Sequence, residues 1–254
     1  MQATARIVKL EDGAELHVEE RGAGEPLLLL HGMMGTGDDW KHVFDRDALA
    51  SEFHVIAPDA RGHGRSTNPG GEFSFARCGR DVLAILDAMG IDRVRAVGVS
   101  LGAKTLLHVA TLAPDRVSAM ILVSPTPRFT EATRALFREA AAAEHSAEEW
   151  ERMRKIHVHG DDQIAALWAL PGRFADDATG DMSFTRERLA TITARTLLVS
   201  GDRDPFYPVE LAVELYRGIP RASLWVVPNG MHGPIFVSER EAFVREAMLF
   251  LRAR

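Results

Sequence analysis

The sequence predicts an α/β fold: a mostly parallel central sheet of about eight strands, helices on both faces, and a helical cap insertion. Three observations point there. Short continuous apolar runs recur along the chain, segments of helical period separate them, and the alternation stops between residues 127 and 193. Continuous apolar runs mark strands covered on both faces. Strands that alternate with helices require crossover connections, and these give parallel pairing.

The elements follow in order. Two alternating runs, Ala5–Leu10 and Ala14–Glu20, are split by Asp12-Gly13, which reads as an antiparallel hairpin. The apolar runs Pro26–Leu30, Phe53–Ala57, Val94–Val99, Ala119–Val123, Thr196–Ser200 and Ser223–Val227 are the parallel strands. Phe75–Met89 carries apolar residues at helical spacing and is stopped by Gly90. Leu101–Leu112, Glu210–Tyr216 and Glu239–Leu251 are further helices. The insertion holds Ala132–Ala147, Glu148–Ile156 and Asp161–Leu170, the last with Asp161 as N-cap and Pro171-Gly172 as a stop. Residues 1–126 and 194–254 are expected to form the core domain, and 127–193 a cap on it. A segment of about 65 residues is marginal for a core of its own.

Composition narrows the function. The chain has 254 residues, 46% of them hydrophobic and 26% charged, with a formal net charge of -6. That balance argues against a nucleic-acid footprint and against a basic membrane-binding face. Cys78 is the one cysteine, so neither an internal disulfide nor a cysteine-based zinc cluster is possible. The opening residues lack the apolar core of a secretory signal, and the apolar runs are far too short to span a bilayer. The expected compartment is therefore the cytoplasm.

Ligands of a parallel sheet bind beyond the carboxyl ends of its strands. The chemistry-bearing residues of this chain gather there. Ser100 follows Val94–Val99 within Gly98-Val99-Ser100-Leu101-Gly102. Asp202 and Asp204 follow Thr196–Ser200, and His232 follows Ser223–Val227 in a glycine-rich loop. Serine, carboxylate and histidine thus occur in that order on three different strands.

These residues resemble the α/β-hydrolases. Gly98-Val99-Ser100-Leu101-Gly102 is similar to the family's nucleophile elbow, and the order of the three groups matches as well. The resemblance covers nearly the whole chain and is weakest over 127–193, where the family places a variable cap. It implies a catalytic Ser100 with His232 as its base. Gly-x-x-Asp after the strand implies Asp204 as the orienting acid, with Asp202 the alternative. The oxyanion donors it implies are the backbone N–H groups of Leu101 and of Met33 in His31-Gly32-Met33-Met34-Gly35. Met34 is then a candidate lining residue of the substrate pocket. No cofactor or metal is required.

The expected activity is hydrolysis of a small to medium carboxylic ester, with lactone hydrolysis, carbon–carbon bond hydrolysis and cofactor-free perhydrolysis open to the same residues. A non-catalytic ligand receptor of the same fold is the rival from another class. Other prominent residues read as structural. His31, His63, Asp59 and Arg61 organise loops, Cys78 is a buried small residue, and Lys104 is a solvated or paired base one turn beyond Ser100. His157 and His159 form a His-x-His pair without an evident third ligand, and Trp150 and Trp168 either face the site or pack.

Overall fold

The computed structural model describes residues 3–177, 180–236 and 239–253. Its strands are β1 (Thr4–Lys9), β2 (Glu15–Arg21), β3 (Glu25–Leu30), β4 (Phe53–Pro58), β5 (Val94–Val99), β6 (Val117–Val123), β7 (Arg195–Gly201) and β8 (Ala222–Val227). They form one sheet in the order β1-β2-β4-β3-β5-β6-β7-β8. β1 and β2 form the antiparallel hairpin, with Gly13 at a φ of 84° in its turn. From β4 to β8 every neighbouring pair is parallel.

Period-two alternation divides the core between the faces. Leu28 and Leu30 of β3, and Met120 and Leu122 of β6, join the larger core. Leu27, Leu29, Ile121 and Val123 join the smaller one. The larger core includes Val82 of α2 (Phe75–Ala88), Leu106 of α3 (Leu101–Leu112) and Leu215 of α9 (Val209–Gly218). Leu49 of α1 (Arg46–Glu52) and Phe243 of α10 (Arg240–Arg252) cover the opposite face. Helix α1 had no expected counterpart, because seven residues are too short for a periodic signal.

Between β6 and β7 lie α4 (Glu131–Ala142), α5 (Ala147–Ile156), α6 (Asp161–Trp168), α7 (Leu170–Asp176) and α8 (Arg186–Leu189). Two local expectations change here. Asp161 is the first residue of α6, and Gly160 at a φ of 89° is the cap; the Asp161 carboxylate pairs with Arg154 instead. Pro171-Gly172 does not end the helical segment. Proline lacks only an N–H that a first helical turn leaves free, so Pro171 sits at the start of α7. Arg134 donates to the carbonyls of Phe174 and Ala175 at 2.9 and 2.8 Å, tying α4 to α7. Phe137 of α4 and Phe174 of α7 pack on Phe129 with ring centroids 5.1 and 6.1 Å away.

The sheet order places β3 between β4 and β5. The chain leaves β3 on one side and returns on the other. This reversal opens a crevice at the carboxyl ends of β3 and β5, the usual ligand site of such sheets.

Candidate active site

Ser100 stands in that crevice. Its φ of 50° and ψ of -103° lie outside the regions that L-residues favour, as a sharp strand-to-helix turn demands. The glycines around it allow the turn. A Cβ on Gly98 would lie 2.6 Å from the Gly102 backbone, and one on Gly102 would lie 2.2 Å from the Leu30 carbonyl oxygen. Both contacts are with backbone, so neither relaxes by a side-chain rotation. Gly102→Ala is therefore expected to destabilise the fold by about 1–3 kcal/mol or more, read as a lowered thermal midpoint.

A line of hydrogen bonds starts at Ser100. Its hydroxyl donates to His232 Nε2 at 2.9 Å, and His232 Nδ1 donates to Asp204 Oδ2 at 2.7 Å. The other oxygen of Asp204 accepts from the Phe206 and Tyr207 N–H groups at 2.9 and 3.1 Å. Asp204 is buried, whereas Asp202 is exposed. The loops carrying Asp204 and His232 touch directly: Arg203 N donates to Gly230 O at 2.9 Å, and a Cβ on Gly201 would sit 2.1 Å from Gly230 O. Gly233 N donates to Ser124 Oγ at 2.9 Å, which fixes the histidine loop to the end of β6.

Met33 and Leu101 flank Ser100 in the wall of a chamber of about 310 Å³. Neither backbone N–H has an acceptor among the described residues. Leu101 also begins α3, whose amino end favours negative charge. Phe137, Phe174 and Phe206 supply apolar wall. Met34 does not line this chamber. Its φ of 65° turns the chain back, its side chain packs against the larger core, and its carbonyl accepts from His157 Nε2 at 3.2 Å. Trp150 and Trp168 also lie outside the lining and pack edge-to-face on each other at 4.5 Å.

The loop histidines brace the site. His31 Nε2 accepts from Ala60 N at 2.8 Å, and its Nδ1 donates to Gly32 O at 2.7 Å. His157 Nδ1 accepts from Gly64 N at 2.8 Å, and His159 Nε2 donates to Arg65 O at 3.0 Å. The His-x-His pair thus fastens the segment after α5 to the loops after β3 and β4. Asp59 accepts from Gly37 N and the Arg65 side chain, and Arg61 forks onto Asp81.

Burial holds His17, His31, His63, His108 and His157 below the ordinary imidazole value of 6.5, His63 and His108 to about 3. Below pH 6.5 the unfolded chain takes up protons that these native rings refuse. Stability is therefore expected to fall as pH drops from about 6.5 toward 5, with His63 and His108 each contributing up to about 1.4 kcal/mol per pH unit and the other rings acting in the same direction. Urea midpoints measured across that range check this, and a flat profile contradicts it.

Comparison with known proteins agrees with the architecture. Residues 25–142 match the family model described as alpha/beta hydrolase fold. A 2-hydroxy-6-oxononadienedioate/2-hydroxy-6-oxononatrienedioate hydrolase of Pseudomonas putida is 30% identical over 90% of this chain and 88% of its own. The chain belongs to the α/β-hydrolases. This α/β-hydrolase is also 28% identical to a pimeloyl-acyl-carrier-protein methyl ester esterase of Nitrosomonas europaea, over 91% of this chain and 97% of that one. The crystal structure of a hydrolase from Pseudomonas aeruginosa PA01 superposes with a TM-score of 0.80 at 26% identity, covering 98% and 99% of the two chains.

Two residues of the α/β-hydrolase site escaped the sequence reading. Lys104, expected at the surface or in an ion pair, is 3% exposed and lies beside Ser100. Tyr207 receives its ammonium at 2.9 Å. A separation of 103 residues left no local pattern to reveal that contact.

Proposed function

We propose that this α/β-hydrolase cleaves small to medium carboxylic esters through an acyl-enzyme intermediate on Ser100. The observation that carries the reading is the unbroken line from Asp204 through His232 to Ser100, opening into an apolar chamber. His232 Nε2 takes the Ser100 proton as Oγ attacks the ester carbonyl. The tetrahedral oxyanion forms against the Met33 and Leu101 N–H groups, donors that need no reorganisation. Protonated His232 then gives its proton to the leaving alkoxide, and the alcohol departs. Water attacks the acyl group, with His232 as base, and releases the acid and Ser100. Asp204 keeps Nδ1 protonated throughout, so Nε2 is free to accept.

A panel of p-nitrophenyl esters with acyl chains of increasing length tests the proposal and sizes the chamber. Steady turnover, together with labelling of Ser100 by a fluorophosphonate, supports it. Absence of both favours a ligand receptor. The similarity to the Pseudomonas putida relative supports carbon–carbon bond hydrolysis as a second reading. It predicts turnover of a vinylogous diketone acid where the ester panel gives none.

A further inference from the structure

Lys104 is the buried charge that the ester mechanism leaves without a role. It sits on α3 one turn beyond Ser100, and its Nζ lies 3.5 Å from Ser100 Oγ. Its hydrogen-bond partner of ordinary length is the neutral Tyr207 hydroxyl at 2.9 Å. Around the ammonium stand the rings of Tyr207, Phe75 and Phe129, with centroids at 4.8, 5.2 and 5.8 Å. No carboxylate among the described residues pairs with it within 4.0 Å.

The nearby acids are engaged elsewhere. Asp204 accepts from His232 Nδ1 and two backbone N–H groups. Asp39, which also lines the chamber, accepts from Thr36 N. An ammonium removed from water with no counter-ion is costly. Burial accordingly lowers the Lys104 pKa to about 7, so amine and ammonium coexist near neutrality. A bound anion draws that balance to the ammonium and completes the pair. The cost of burying this lysine instead of a methionine is one that packing alone does not explain.

We infer that Lys104 receives a carboxylate carried by the substrate beside its scissile carbonyl, so that the preferred substrates are half-esters of short dicarboxylic acids. The distance sets the class. With the carbonyl carbon bonded to Ser100 Oγ, an Nζ only 3.5 Å from that oxygen reaches groups two or three bonds along the acyl chain. Malonate and succinate half-esters place a carboxylate there. The aromatic rings exclude water around the pair and strengthen it.

This inference rests on the esterase reading, and one assay separates the two. Ethanol release is measured from ethyl hydrogen malonate and ethyl hydrogen succinate, and from ethyl butyrate and ethyl pentanoate as neutral counterparts. The wild type is expected to favour the half-esters by about tenfold or more in kcat/KM. Lys104→Met, which keeps the length of the side chain and removes the charge, should collapse that ratio by about 10- to 100-fold, the loss of one charge-assisted hydrogen bond. Lys104→Arg should restore part of it. Removing the buried charge should leave the thermal midpoint of Lys104→Met at or above the wild-type value, which excludes misfolding. Wild-type turnover of the neutral esters without a half-ester preference overturns the inference and leaves the esterase reading standing. So does a preference that Lys104→Met retains. No ethanol from any of the four esters overturns both.

Discussion

Ser100→Ala is expected to reduce kcat on any ester the protein turns over by about a millionfold, to the rate that the oxyanion donors and binding sustain alone. The size of the effect follows from the nucleophile's position at the head of the line. Without Oγ, His232 Nε2 has no proton to accept, no acyl-enzyme forms, and the alcohol has no covalent step to leave from. The backbone has no reason to change. Ser100 N donates to Val123 O at 2.9 Å, and Gly102 N donates to His31 O at 3.0 Å, so main-chain bonds hold the elbow. Alanine tolerates the φ of 50° no worse than serine does. The variant should keep its thermal midpoint, lose fluorophosphonate labelling, and release no burst of p-nitrophenolate. Residual turnover above about one per cent of wild type sinks the assignment of Ser100.

Asp204→Asn carries the next largest expected effect, a fall in kcat of about 10⁴-fold. The cause lies in the hydrogen-bond pattern. The Phe206 and Tyr207 N–H groups both point at Oδ1, and in the variant they retain the amide oxygen there. The amide NH₂ then faces His232 Nδ1, 2.7 Å from where Oδ2 stood. A donor in that place makes Nδ1 the acceptor and moves the ring proton to Nε2. A protonated Nε2 cannot take the Ser100 proton. Geometry is preserved while the tautomer is wrong, so binding of a substrate analogue should survive the loss of rate. Asp202→Asn is the control. That side chain is exposed, and its replacement should change kcat by less than about twofold. The reverse pattern would transfer the acid role to Asp202.

Several features of the molecule were legible as local pattern. Leu27–Leu30 and Ala119–Val123 are continuous apolar runs because both faces of the strand meet a core, one residue after another. Asp12-Gly13 and Gly90 mark turns because each needs a glycine at positive φ, and Gly13 and Gly90 adopt 84° and 66°. Gly98 and Gly102 flag the elbow because the crowding that excludes a side chain arises within five residues and from the adjacent β3. The order of Ser100, Asp204 and His232 along the strands is legible once their family pattern is noticed. Pro171 misled because a proline that often follows the end of a helix here stands in the first turn of the next one, α7, while α6 ends before it at Trp168.

Long-range contacts were not legible. His157 reaches Gly64 across 93 positions and Met34 across 123, and no period or motif encodes such a pairing. Lys104 shows the limit most clearly. On a helix written as Leu101-Gly102-Ala103-Lys104, a lysine ordinarily reads as the exposed position of an amphipathic face. But α3 is buried on nearly all sides, by the sheet below, by α2 beside it and by the aromatic residues above. Its lysine is buried and turns into the chamber beside the nucleophile.

The sequence by itself determined the fold class, the turn that presents Ser100, and the strand ends from which Asp204 and His232 come, since strand period and steric demand are local properties. Only the tertiary structure decided which oxygen meets which ring nitrogen, that Met33 and not Met34 faces the chamber, and that Lys104 stands there with no carboxylate of the described residues within 4.0 Å. These outcomes depend on burial and on distances between residues far apart in the chain, and those exist only once the sheet, its helices and the segment between β6 and β7 are packed together.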